Sequence, residues 1–337
     1  MSDAAIIGTG LIGASVGMAL TEQGWTVRGW DPDPEAMTVG AERGAFTTAA
    51  DSPSVAAADS DLVFLAGPLQ ANIETLASLN TPALVTDTTS VKMPFTDTTR
   101  VRFVGGHPLA GREHAGPTAA SPALFRGASW VLCPSGSNES DLEYMIDVVT
   151  SIGANPVVMS AERHDEVVAA VSHLPHLLAS ALVNLIADDP EASQLVSGSF
   201  RDLTRVAAAE SVWWPEVLAS NSEPIGQALD RLIAELVSLR ALAVSGDLSG
   251  LEEQLGAARD RRRSMAPPVA RVRVILQDKP GEIAAVGHAL ERSKVDVRDL
   301  QLRHALHGGG GVLTLSVRPG EEEALRDALV REGFETE

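Results

Sequence analysis

A chain of 337 residues, 45% of them hydrophobic, has room for two or three domains at ~100 to 200 residues each. A formal net charge of −19 argues against a nucleic-acid partner, because phosphate contacts need clustered Lys and Arg, and favours a small-molecule ligand. The single Cys133 excludes an internal disulfide. The N-terminus lacks the basic segment and separate apolar stretch of a secretion signal, and no apolar run approaches the ~20 residues that cross a bilayer, so a cytoplasmic chain with no membrane role is expected.

The first half alternates short apolar runs with helical patterns. Strands are expected at Ala4–Ile7, Trp25–Trp30, Leu62–Leu65, Ala83–Thr86 and Phe103–Gly106, then at Trp130–Pro134 and Pro156–Met159 around a helix from Asp141 to Ile152. That rhythm implies an α/β fold, a Rossmann-type doubly wound parallel sheet over residues 1–159. From Ala161 to Arg263 the period turns helical, as in Leu229, Leu232, Ile233, Leu236 and Leu239. This all-α middle domain (160–265) needs a partner surface for its apolar faces, and a homodimer is expected. The basic run Arg259 to Arg263 and Ala266-Pro267-Pro268 read as a linker. Residues 269–337 then read as a small βαββα domain: strand Ala270–Leu276, helix Pro280–Arg292, strand Val295–His304, glycine turn Gly308 to Gly311, strand Val312–Val317 and helix Glu321–Glu332.

Gly8-Thr9-Gly10-Leu11-Ile12-Gly13 follows the first strand and opens a helix. In that setting the first glycine makes a tight turn, the second admits a pyrophosphate and the third lets helix and strand approach, while the helix N-terminus offers free N–H groups. Asp31, ending the second strand, can accept hydrogen bonds from a ribose and would repel a 2′-phosphate, so the cofactor is read as NAD. Ala66 and Pro68 end the Leu62–Leu65 strand at the carboxyl edge, where ligands bind, and are placed in the cofactor lining; Pro68 reads equally as the start of a helix.

A dinucleotide fold does not name a substrate. His107, at a strand end before Pro108, puts an imidazole where the nicotinamide would lie, able to accept a hydroxyl proton, although a lone histidine more often reads as structural. Ser90 could orient it or cap a helix. The order Gly8-x-Gly10-x-x-Gly13, Asp87 to Lys92, His107-Pro108-Leu109-Ala110-Gly111, Ser172 to His176 and Phe200-Arg201-Asp202-Leu203-Thr204-Arg205 with Trp214 resembles the prephenate/arogenate dehydrogenase family of tyrosine biosynthesis. Asp278 to Ile283 resembles the opening turn of an ACT domain, a ferredoxin-like module that binds amino acids.

The resemblance implies NAD-dependent oxidative decarboxylation of prephenate to 4-hydroxyphenylpyruvate, or of arogenate to tyrosine. It implies His107 as hydrogen-bond acceptor for the ring hydroxyl, Ser90 as its orienter, Arg205 as carboxylate anchor and His173 as a substrate contact. His176 is read as structural. The chain departs from the family after Gly111, where Arg112 and His114 stand in place of the commoner Ser and Lys; Arg112 reads as a carboxylate contact or as a solvated side chain. Trp213-Trp214 reads as a pocket wall or as core. The C-terminal domain implies an amino-acid effector such as tyrosine, or a role in assembly alone. Two other functions stand beside these: a β-hydroxy-acid dehydrogenase, for which the lysine-free helical region lacks a catalytic Lys, and a non-enzymatic NAD and amino-acid sensor, which would not need His107 and Arg205 together.

Overall fold

The computed structural model describes residues 2–96, 100–112, 114–135, 137–208, 213–265, 269–277, 279–304 and 310–336. The expected linker at Ala266-Pro267-Pro268, Asp278 of the resembling turn, and Gly308 and Gly309 of the glycine turn lie outside the described residues. The chain forms two compact units, Met1–Ala234 and Glu235–Glu337.

The first unit begins β1 (Asp3–Ile7), α1 (Leu11–Glu22), β2 (Thr26–Trp30), α2 (Pro34–Glu42), β3 (Thr48–Ala49), α3 (Pro53–Ala57), β4 (Leu62–Leu65), α4 (Leu69–Ser78) and β5 (Leu84–Asp87). It continues β6 (Arg102–Pro108), β7 (Ser129–Pro134), α5 (Glu139–Ser151) and β8 (Asn155–Val158). These strands make one sheet in the order β3-β2-β1-β4-β5-β6-β7-β8. Residues alternate between its two faces, as strand geometry requires: Ala4, Ile6, Leu62 and Phe64 enter one core, Ala5, Ile7, Val63 and Leu65 the other. Burial on both faces explains the unbroken apolar runs.

Local chemistry sets the helix starts. Asp33 caps α2 through Glu35 N–H with Pro34 in the first turn, and Asn138 caps α5 through Asp141 N–H. The expectation of an all-parallel sheet is corrected at one place, since β7 runs antiparallel to β6. Between them the described residues form only a 3-10 turn, Pro117–Ala119, and without a crossover helix the chain returns antiparallel.

Helices follow: α6 (Ala161–Val168), a π turn (Ala169–His173), α7 (Leu174–Leu185), α8 (Pro190–Gln194), α9 (Gly198–Thr204), a 3-10 turn (Arg205–Ala208), α10 (Trp214–Ser220) and α11 (Ser222–Ser245). Pro175 lies in the first turn of α7. Lacking an N–H and crowding the carbonyl four residues back, it is accommodated by the widened π turn without a break in the helical course. Hence Ala161–Leu185 is, by length and composition, apolar enough to cross a membrane, against the expectation that no run is long enough, which counted such prolines as interruptions.

The second unit holds the end of α11, α12 (Leu248–Ser264), β9 (Ala270–Leu276), α13 (Glu282–Ser293), β10 (Val297–His304), β11 (Gly311–Val317), α14 (Glu322–Arg331) and β12 (Glu335–Thr336). Its sheet, order β10-β11-β9-β12, is antiparallel throughout, so the expected βαββα becomes βαββαβ of ferredoxin-like order. Val272, Val274, Leu313, Leu315, Leu325 and Leu329 form its core.

Candidate active site

The carboxyl ends of β1, β4, β5 and β6 share one edge of the sheet, and the strand order reverses between β1 and β4, the usual place for a nucleotide crevice. Gly8 follows β1 at φ +98°. A Cβ there would stand 2.6 Å from the Ala66 carbonyl carbon, and one on Gly13 would stand 1.9 Å from the Gly8 carbonyl oxygen. A Cβ on Gly10 would meet nothing within 4 Å. Gly10 caps α1 with no side-chain hydrogen bond, leaving the amides of Leu11, Ile12 and Gly13 directed at this open cradle.

Asp31 follows β2 and accepts from Thr9 N–H at 2.7 Å through Oδ2 and from Asp33 N–H at 2.9 Å through Oδ1. This ties the glycine turn to the acidic residue that would meet a ribose. Thr9 is buried, and its hydroxyl has no partner among the described residues. Ala66 and Pro68 flank the cradle in the loop after β4, where Pro68 also caps α4. Buried Asn72 clamps that loop: its Oδ1 accepts from Gly67 N–H at 3.0 Å, and its Nδ2 donates to Leu65 O and Gly67 O at 3.1 and 2.9 Å.

Further along the edge, β5 ends in a buried ion pair between Asp87 and Lys92. Asp87 Oδ1 also accepts from Gly106 N–H at 3.0 Å, and Lys92 donates to Thr89 Oγ1 at 3.0 Å while its ammonium lies 5.2 Å from the Phe95 ring centroid. Burial pulls the Lys92 pKa down, against the pull of Asp87. Gly106 is required here, because a Cβ would come 2.5 Å from Asp87 O. The pair therefore fixes the β6 end that carries His107.

His107 is 8% exposed, His164 0%, Asp165 1% and His173 1%. His107 Nδ1 lies 2.8 Å from His164 Nε2, and His164 Nδ1 lies 2.7 Å from Asp165 Oδ1. Asp165 accepts from Lys92 N–H at 2.8 Å and Met93 N–H at 2.9 Å. Burial, then His164, Lys92 and His173, hold the His107 pKa well below 6.5, so the ring is neutral at pH 7. Asn221, between α10 and α11, donates from Nδ2 to Asp165 O at 2.9 Å and lies 3.1 Å from His173 Nδ1. Burial lowers the His173 pKa to about 4, and its Nε2 has no partner among the described residues. Trp214 meets His173 edge-on at 5.9 Å between ring centroids and stacks on His176 at 4.2 Å.

The structure thus brings His107, His173 and Trp214 into one neighbourhood within the first unit. Half-buried Ser90 lies in the loop after β5 with no hydrogen bond to His107 among the described residues; the ring is met by His164 instead. Arg205 is exposed and opens the 3-10 turn packed against α7, the helix that continues from His173. Arg112 and His114 are exposed in the loop after β6. His176, read as structural, forms the floor under Trp214. Sequence reasoning passed over His164, Asp165, Asn221 and Asn72. The first two sit in Ala161-Glu162-Arg163-His164-Asp165-Glu166, which reads as a solvated helix start.

Family models match twice: the nucleotide-binding domain of prephenate dehydrogenase over residues 16–158 and its dimerization domain over residues 160–257. A cyclohexadienyl dehydrogenase of Zymomonas mobilis is 32% identical, the match covering 77% of this chain and 95% of that protein. The solved prephenate dehydrogenase of A. aeolicus, in complex with hydroxyphenyl propionate and NAD+, superposes with a TM-score of 0.72 at 29% identity, over 79% of this chain and 99% of that one. The solved Synechocystis arogenate dehydrogenase gives a TM-score of 0.70 at 26% identity, over 78% and 100%. The glycine cradle and the buried histidines beside it therefore belong to a member of the prephenate dehydrogenase family, a family of NAD-dependent oxidoreductases.

Proposed function

We propose that this chain converts prephenate to 4-hydroxyphenylpyruvate by NAD-dependent oxidative decarboxylation. The observation that carries this reading is the neutral His107 at the carboxyl edge that also forms the glycine cradle, with His173 Nε2, which has no partner among the described residues, nearby. Gly8, Thr9, Gly10, Leu11, Ile12 and Gly13 would hold the pyrophosphate, Asp31 the ribose, and Ala66 and Pro68 the adjoining part of NAD. The fit rests on the open cradle that a Cβ at Gly10 would enter, and on the close backbone approach that only glycine allows at Gly8 and Gly13. Bound NAD supplies the acceptor for a hydride.

His107 takes the ring hydroxyl proton as hydride leaves the carbon bearing that oxygen. The ring–carboxylate bond then breaks, its electron pair enters the ring, carbon dioxide departs, and His107 returns the proton to the oxygen to complete the phenol. Ser90 borders this site. Asn221 Nδ2 spends one hydrogen on Asp165 O, so its other hydrogen points at His173 Nδ1 and makes that nitrogen the acceptor. His173 Nε2–H is then a buried donor with a substrate oxygen to meet. Arg205 suits a carboxylate, which a guanidinium grips bidentately, with Arg112 and Trp214 at the rim.

The Synechocystis relative favours a second reading, arogenate as substrate, in which only the side chain changes from keto acid to amino acid. The chain is read as a cytoplasmic homodimer with domains at 1–159, 160–265 and 269–337. A cleft of about 420 Å³ lined by Leu276, Lys279, Gly281, Glu282, Ile283 and Leu302 is the proposed seat of an amino-acid effector such as tyrosine on the ACT-like domain. NADH formation with prephenate and with arogenate, in the wild type and in His107→Asn, tests the assignment. Absence of NADH with both substrates rejects the enzyme, and a wild-type rate in His107→Asn rejects the role of His107.

A further inference from the structure

Which nitrogen of His107 carries the proton decides whether the ring can accept one from a hydroxyl, because a neutral imidazole has one donor and one acceptor. The answer is built from the backbone outward. The amides of Lys92 and Met93 only donate, and they hold both oxygens of Asp165 as acceptors. An ionised carboxylate has no proton to give. His164 Nδ1, 2.7 Å from Asp165 Oδ1, must then be the N–H of its ring, which leaves His164 Nε2 with a bare lone pair. That lone pair faces His107 Nδ1 at 2.8 Å, and two lone pairs at such a distance would repel, so His107 Nδ1 carries the hydrogen. The bare nitrogen of the His107 ring is then Nε2. The three side chains are 8%, 0% and 1% exposed, so water does not compete for these contacts.

We infer that His164 and Asp165 are positioning residues that lock His107 in its Nδ1–H tautomer and so present the Nε2 lone pair to the substrate hydroxyl. The opposite tautomer would offer the hydroxyl a donor and could not take its proton. As Nε2 gains the proton, positive charge on His107 strengthens the Nδ1–H bond to His164, which Asp165 supports from behind. The inference rests on the reading of His107 as proton acceptor, and it explains how that ring is oriented when Ser90 makes no bond to it.

Ring nitrogen chemical shifts of 15N-histidine-labelled protein, without substrate or NAD, read the tautomer directly. The expected result is a protonated Nδ1 and a bare Nε2 at His107. In His164→Phe, which keeps a flat ring but offers no acceptor, kcat should fall by about 100-fold or more while KM for prephenate changes less than about threefold, the scale of a lost acid–base contribution. His164→Gln, whose Oε1 can accept from Nδ1–H, should recover at least about tenfold of that loss and the wild-type shifts. A protonated Nε2 in the neutral wild-type ring overturns the inference, and so does wild-type kcat in His164→Phe or a Gln variant no better than Phe. If His164→Phe does not fold, the wild-type and Gln spectra decide. Wild-type turnover by His107→Asn together with an observed Nδ1–H would reject the acceptor reading while upholding the tautomer lock.

Discussion

Arg205 is exposed and has no ion-pair or hydrogen-bond partner among the described residues, so its loss should cost the fold little. If it grips a substrate carboxylate, Arg205→Ala removes about 1.5 to 3 kcal/mol of binding, roughly a 10- to 150-fold rise in KM for prephenate. Melting temperature should stay within about two degrees of wild type. Steady-state kinetics with an unchanged KM would contradict the anchor. His107 makes a different prediction, one of pH. Because burial, His164, Lys92 and His173 hold its pKa below 6.5, the ring stays deprotonated as pH falls past ~6.5, where a free imidazole would already gain a proton. The profile of kcat/KM for prephenate should be flat through neutrality and bend down only below that point; an acid limb centred at or above ~6.5 would show a solvated base instead. His107 was legible in the sequence because a strand end before proline places it at the ligand edge. His164 and Asp165 were not, since their burial comes from Asn221 and the Lys92 loop folding over a helix start that looks solvated by itself.

At the scale of elements, the glycine turn separates folding from binding. Gly13→Ala sets a Cβ 1.9 Å from Gly8 O and 2.9 Å from the Ala66 side chain, an overpacking of backbone against backbone that should cost about 1 to 3 kcal/mol and several degrees of melting temperature. Gly10→Ala meets no protein atom within 4 Å at φ −69°, a conformation alanine adopts freely. It should melt like wild type yet raise KM for NAD at least about tenfold, because the new methyl stands where a pyrophosphate must approach. Calorimetry and NAD titration of the two variants check the contrast; normal NAD binding by Gly10→Ala would remove the pyrophosphate from this turn. The βα rhythm was readable because each buried strand is an unbroken apolar run between turn residues. β3 and β12 were not, as two-residue strands carry no periodicity. The reversed β7 escaped because direction depends on the connection, and its loop gives no helical signal either way. Pro175 misled in another manner: it reads as a stop, and the structure absorbs it in a π turn that also carries His173.

For the whole molecule, the exposed apolar side chains call for a partner. Ile233 is 55% exposed, Leu236 50% and Val237 59%. They follow the spacing that puts residues on one side of α11, and Val171 and Leu185 add further apolar surface on the Ala161–Leu185 course. Single exposed leucines are ordinary, whereas three at helical spacing along α11 suit the homodimer proposed above. All three lie within residues 160–257, the range that matches the family model described as the dimerization domain of prephenate dehydrogenase. Two copies related by a twofold axis would bring the same α11 face together, each covering the other. Sedimentation velocity at micromolar concentration should therefore give a particle of twice the 35.3 kDa chain mass. The double variant Ile233→Glu and Val237→Glu, which sets like charges face to face across the axis, should sediment as a monomer at the same concentration while α11 keeps its helical circular dichroism. A wild-type monomer would reject the dimer, and a charged variant that still pairs would move the interface away from α11.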